Sequence, residues 1–245
     1  MKITFQQAIT AHKEGRLEEA ERLYREILKI QPTHPGVNHN LGAISLKKNK
    51  IKDALLLFKT AIDVNPNIVE FWISYASALS SEKKNEEAEE SLKKAIELNP
   101  DYINAYYNLG NILGHLGKLE EAIKNYKKTI ELNPDYINAY YNLGNTLRDI
   151  GKFDEAIKNY KKAIELNPEF TDAYNNLANI LQSNGKLEEA KESYKKGLSI
   201  DVKNKKIFNG YGNLLLKLNK HNSGLNFISE AQGVIVFTQS GLKII

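Results

Sequence analysis

The chain has 245 residues, 42% of them hydrophobic and 26% charged, with a net charge of +4. These are globular values and argue against a disordered chain. There is no cysteine, which excludes disulfides, thiolate metal sites and thiol nucleophiles.

No apolar run reaches membrane-spanning length. The opening MKITFQQAITAHKEG lacks the apolar centre of a secretory signal. A cytoplasmic protein without membrane insertion is the expectation. The positive charge is mild and mostly interleaved with Glu, as in LEEAIKNYKK, which reads as a solvated helix face rather than a nucleic-acid interface.

From the first residue onward the sequence repeats every 34 residues. Proline returns at Pro32, Pro66, Pro100, Pro134 and Pro168. Small residues return at Ala8, Gly42, Ala76, Gly110, Gly144, Ala178 and Gly212, and again at Ala20, Ala54, Ala88, Ala122, Ala156, Ala190 and Gly224. A larger apolar residue follows the second set by four places, from Tyr24, Phe58 and Leu92 through Tyr126, Tyr160 and Tyr194 to Ile228. The units begin at Met1, Pro35, Val69, Ile103, Ile137, Thr171 and Lys205, and the array covers residues 1–232, the last unit being degenerate.

Each unit reads as two helices. In the first, apolar residues recur at three and four spacing, as at Tyr106, Leu109 and Leu113. Gly117, Gly151 and Gly185 stand where that helix ends, and Asn49 and Asn219 take the same place, since both types tolerate a left-handed cap. Lys83 breaks the pattern. The second helix opens with acids and carries lysine near its end, which suits the helix dipole. Glu120–Lys124 and Asp154–Lys158 have the spacing of i,i+4 pairs. The first unit has Thr4 and Gln7 at core places, which fits a polar end cap.

After Ala231 the period fails. GVIVFTQSGLKII has two β-branched runs, with Gly233 stopping the last helix and Ser240-Gly241 supplying turn residues. Residues 233–245 are therefore expected to form a short β-hairpin. It either covers the open end of the core or offers an apolar edge for self-association or another domain. Lysines crowd the last third of the chain.

These residues resemble the tetratricopeptide repeat family, with its pattern W-x2-L-G-x2-Y…A-x3-F…P. The third unit has Trp72 in the Trp place, and the fourth supplies Tyr106, Leu109, Gly110, Ala122, Tyr126 and Pro134. The last Tyr of the pattern's first helix is Leu113, Leu147, Leu181 or Leu215 here, a packing variant. The resemblance implies an all-α solenoid, a right-handed superhelix of about seven stacked antiparallel helix pairs. It also implies a concave groove lined by the first helices, where family members bind peptides or partner proteins.

By that resemblance the groove's sixth positions are Asn40, Asn108, Asn142 and Asn176. The ninth are Asn111, Asn145, Asn179 and Asn213, and the fifth include His39, Tyr107, Tyr141 and Asn175. A row of amides can bond both C=O and N–H of an extended backbone, and a similar asparagine ladder lines the superhelix of O-GlcNAc transferases. The same asparagines equally suit bonds to water or to the adjacent repeat. Lys and Arg are absent from the fifth and sixth positions, which disfavours a clamp for chaperone carboxyl termini.

The five histidines lack metal-ligand spacing, the glycines of GNILGHLGK are repeat positions rather than a phosphate loop, and no carboxylate pair marks a cleft. The expected function is a non-catalytic scaffold or adaptor with a protein or peptide partner and no metal or cofactor. The alternative is the substrate-recognition module of a larger enzyme of the O-GlcNAc transferase type. ELNPDYINAYYNLGN, present at Glu97–Asn111 and again at Glu131–Asn145, fits either a binding ladder or a structural spacer.

Overall fold

The computed structural model describes residues 4–232, 235–238 and 241–244. The chain divides into two compact units, Met1–Leu132 and Asn133–Ile245. The first contains α1 Phe5–Lys13, α2 Leu17–Ile30, α3 Pro35–Lys47, α4 Ile51–Val64, α5 Val69–Ser81, α6 Asn85–Leu98, α7 Ile103–His115 and α8 Leu119–Leu132. The second contains α9 Ile137–Asp149, α10 Phe153–Leu166, α11 Thr171–Ser183, α12 Leu187–Ile200, α13 Lys205–Lys217 and α14 His221–Gln232. Two short strands follow, β1 Ile235–Thr238 and β2 Gly241–Ile244, paired antiparallel with Ile235 opposite Ile244 and Thr238 opposite Gly241. Gly233 and Ser240, assigned above to a helix stop and a turn, lie outside the described residues.

Within each unit the helices pack in successive pairs, and the recurring small residues explain how closely. Ala20, Ala54, Ala88, Ala122, Ala156 and Ala190 are fully buried. A Cβ added at Gly110 would lie 2.7 Å from the Tyr126 ring, and one at Gly144 would lie 2.7 Å from the Tyr160 ring. The second helices are amphipathic: α10 buries Ala156, Ile157, Tyr160 and Ala163 and exposes Asp154, Glu155, Lys158 and Lys161. Each large side chain buried in this way contributes about 1.5–3 kcal/mol.

The turns inside the pairs share one backbone solution. After α7, Gly117 adopts φ +73° and the Lys118 N–H reaches the Leu113 carbonyl at 2.9 Å, a Schellman closure. Asn49 and Asn219 take the same conformation, at φ 59° and 58°. So does Lys83, at φ 62°, despite its unsuitable side chain. The backbone unit imposes the turn whatever residue occupies it.

Thr4 and Gln7 have a local purpose. The Gln7 N–H donates to Thr4 Oγ1 at 3.3 Å and the Thr4 N–H donates to Gln7 Oε1 at 3.0 Å, a reciprocal capping box opening α1. The i,i+4 pairs Glu120–Lys124 and Asp154–Lys158 do not close among the described residues. In the same helices other lysines close i,i+3 pairs, Lys128–Glu131 at 2.6 Å and Lys162–Glu165 at 2.7 Å.

Candidate functional site

Second-helix tyrosines organise the asparagines of the first helices. Tyr126, Tyr160 and Tyr194 are buried, and a buried phenol requires a hydrogen-bond partner. Tyr126 Oη donates to Asn111 Oδ1 at 2.8 Å, Tyr160 Oη to Asn145 Oδ1 at 2.8 Å, and Tyr194 Oη to Asn179 Oδ1 at 2.6 Å. Burial pushes the Tyr160 and Tyr194 phenols well above their ordinary range, so both remain neutral donors. The ninth-position amides are therefore oriented by their own repeats, with the carbonyl oxygen turned to the tyrosine.

From the second repeat onward the pairing is visible in the sequence; in the first, Ile9 stands at the ninth place and Tyr24 Oη meets His12 Nδ1 and Asn40 instead. Where the ninth residue is Ala43, the tyrosine place holds Phe58. Where it is Ser77, that place holds Leu92. Asn213, exposed on α13, faces no such tyrosine because Ile228 occupies the place. This correlation between positions fifteen residues apart was the signal a reading of the sequence could have used.

Sixth-position asparagines link repeats. Asn176 Nδ2 donates to Asn145 Oδ1 at 2.8 Å and to Tyr141 Oη at 3.1 Å, both on the preceding first helix. Asn40 Nδ2 donates to Tyr24 Oη at 3.2 Å, and its carbonyl meets His39 Nδ1 at 3.3 Å. The Asn142 backbone carbonyl accepts from Thr146 Oγ1. Asn108 lines a pocket instead.

Fifth-position His39, Tyr107 and Tyr141 are half-buried packing groups. Tyr107 tilts against Tyr126 at 6.2 Å, and Tyr141 against Phe170 at 4.8 Å. His39 stacks on Phe71 at 4.8 Å with Nε2 2.9 Å from Ser74 Oγ, and burial holds its imidazole below the ordinary value. Asn175 is 8% exposed, and its Oδ1 has no hydrogen-bond partner.

The pocket at Asn108 has a volume of about 250 Å³ and was not anticipated from the sequence. It is lined by Ala76, Leu92 and Ile112 together with the polar Ser77, Ser80, Asn108, Asn111 and His115. Among the described residues no group of three or more His, Asp or Glu could hold a metal ion, and no helix is long and apolar enough to cross a membrane.

Helix pairs in a 34-residue register, with small residues at both crossing points and a tyrosine–asparagine bond inside the pair, define a tetratricopeptide array, a scaffold for protein interaction. Residues 2–206 match the tetratricopeptide family model described as Cilia and flagella-associated protein 70 C-terminal domain, and the chain belongs to that family. No curated protein matches it.

Among solved structures, MamA is 29% identical with a TM-score of 0.62, covering 68% of this chain and 96% of its own. YrrB, described as a TPR protein with an unusual peptide-binding site, is 25% identical with a TM-score of 0.60, covering 71% of this chain and 90% of its own. A tetratricopeptide repeat protein from Parabacteroides merdae is 18% identical with a TM-score of 0.72, covering 92% and 90%, a likeness of fold.

Proposed function

We propose that the chain is a non-catalytic scaffold that binds an extended protein segment along the first helices of its Asn133–Ile245 unit. The observation that carries this is the orientation of Asn145 and Asn179. Each amide has its carbonyl fixed by a buried tyrosine, and its Nδ2 has no partner among the described residues. Side-chain amides held this way present N–H donors already ordered, which suits the carbonyl oxygens of an extended backbone. The row thus offers donors rather than the mixture of donors and acceptors that asparagine could supply. The likeness to YrrB, whose description includes a peptide-binding site, supports the same class of ligand.

The test must remove the donors while keeping the acceptor for tyrosine. Asn145→Asp with Asn179→Asp does this, whereas alanine at either place also unseats the phenol. Peptides are selected from a random display library on the immobilised chain and their affinities measured by fluorescence anisotropy. The double aspartate variant should lose at least tenfold in affinity while its melting temperature stays close to the parent's. Recovery of no peptide, or unchanged affinity in the variant, would exclude this reading.

A further inference from the structure

The hydroxyl partners of the second-helix tyrosines Tyr24, Tyr160 and Tyr194 come from the same three places. Tyr24 Oη meets His12 Nδ1 at 3.4 Å and Asn40 at 3.2 Å. Tyr194 Oη meets Asn179 and Gln182, and Tyr160 lies within reach of Asn145 and Asn176. These partners are the ninth and twelfth residues of the tyrosine's own repeat and the sixth of the next. In the third repeat those three places are Ser77, Ser80 and Asn108, and the tyrosine place is Leu92. All four line the 250 Å³ pocket.

The polar side of a phenol site is therefore present without its phenol. Tyr75, on the same helix as Ser77, does not replace it, because it packs with Ala54, Phe58 and Ala78. An apolar cavity of about 150 Å³ admits benzene, so the space is sufficient for a substituted ring. Ser77 Oγ donates to the Ile73 carbonyl at 3.1 Å, which leaves its lone pairs for an incoming hydroxyl. Ser80 and Asn108 can each donate and accept.

The geometry points to this gap as the seat of a tyrosine side chain carried by a partner protein segment. The partner completes from outside the arrangement that other repeats complete from within. This assignment rests on the reading of the first helices as peptide-binding elements, and it names a residue for the first unit to anchor.

The test uses p-cresol, the tyrosine side chain as a molecule, and toluene, the same ring without the hydroxyl. Both are titrated into the full chain while the NMR signals of Ser77, Ser80 and the Asn108 side-chain amide are followed. p-Cresol should shift these signals saturably and bind about tenfold more tightly than toluene, the worth of a good hydrogen bond. Leu92→Tyr supplies the phenol internally and should abolish the shifts. If that variant fails to fold, Ser77→Ala with Ser80→Ala decides, and should bring p-cresol down to the affinity of toluene. Equal binding of the two probes, or unchanged p-cresol binding in either folded variant, overturns the assignment. Loss of library-peptide affinity in the double aspartate variant together with equal binding of the two probes removes the pocket and leaves the peptide site standing. Absence of any library peptide removes the peptide site, while the p-cresol titration still decides the pocket.

Discussion

The third and fifth repeats have the same backbone plan and differ at three instructive places. The fifth closes its interior with Tyr160 bonded to Asn145, turns at Gly151 and buries Ile157 on its second helix. The third has Leu92 over Ser77, turns at Lys83 and buries Glu89. The fifth fills these three places by the means easiest for the fold. The third leaves a pocket, a strained turn and a carboxylate at 5% exposure. Departures gathered in one repeat, at places where a neighbour shows the easier solution, separate what the fold requires from what this repeat adds.

The largest effect should come from breaking the fifth repeat's polar closure. Asn145→Ala removes the acceptor for the buried Tyr160 hydroxyl and one of two acceptors for Asn176. An unsatisfied buried donor costs about 1–3 kcal/mol, so the variant should lose about 2 kcal/mol in a denaturant titration. Adding Tyr160→Phe removes the orphaned hydroxyl and should restore at least half of that loss, because the second repeat already packs Phe58 with Ala43. A double-mutant cycle with no coupling would show that the bond does not organise the pair.

The period, the helix pairs and the small crossing residues were legible because each is fixed by steric packing that recurs at one spacing. The asparagine row was legible as a row. The direction of each amide was not, since it depends on a tyrosine fifteen residues away on the other helix. The pocket was hidden for the same reason: Leu92 reads as another apolar residue in phase, and only its neighbours' hydroxyl bonds show what is missing. Lys83 looked like an exception because propensity is local, whereas the turn is set by the two packed helices it joins.

That turn gives the second, smaller effect. A non-glycine residue in the left-handed region costs about 1–2 kcal/mol, and glycine returns part of the gain through greater freedom in the unfolded chain. Lys83→Gly should therefore stabilise the protein by about 0.5–1 kcal/mol, and Gly151→Lys should destabilise it by a similar amount. Thermal melting of the two variants checks this. If Lys83→Gly brings no gain, the lysine has a compensating contact that its backbone does not reveal.

The smallest effect concerns pH. Burial opposes ionisation of Glu89, but hydrogen bonds from Lys118 at 2.7 Å and Lys93 at 2.5 Å outweigh it and hold the carboxyl below its ordinary value. A group depressed in the folded state contributes stability that is complete above the unfolded value, near 4.5, and is lost as pH falls through the folded one. The comparison with Ile157 supplies the control. Glu89→Ile should lie within about 1 kcal/mol of the parent at neutral pH, since buried ion pairs often exchange with apolar residues at little net cost. Below about pH 4.5 the parent should lose melting temperature faster than this variant, because the variant lacks the proton-linked contribution while keeping every other acid, Glu21 included. Lys118→Met shifts the balance at Glu89 toward burial, so its acid-side loss should be shallower than the parent's. Identical slopes for parent and Glu89→Ile would mean that the two lysines only offset the cost of burying the carboxylate, and that the third repeat gains nothing from it over isoleucine at any pH.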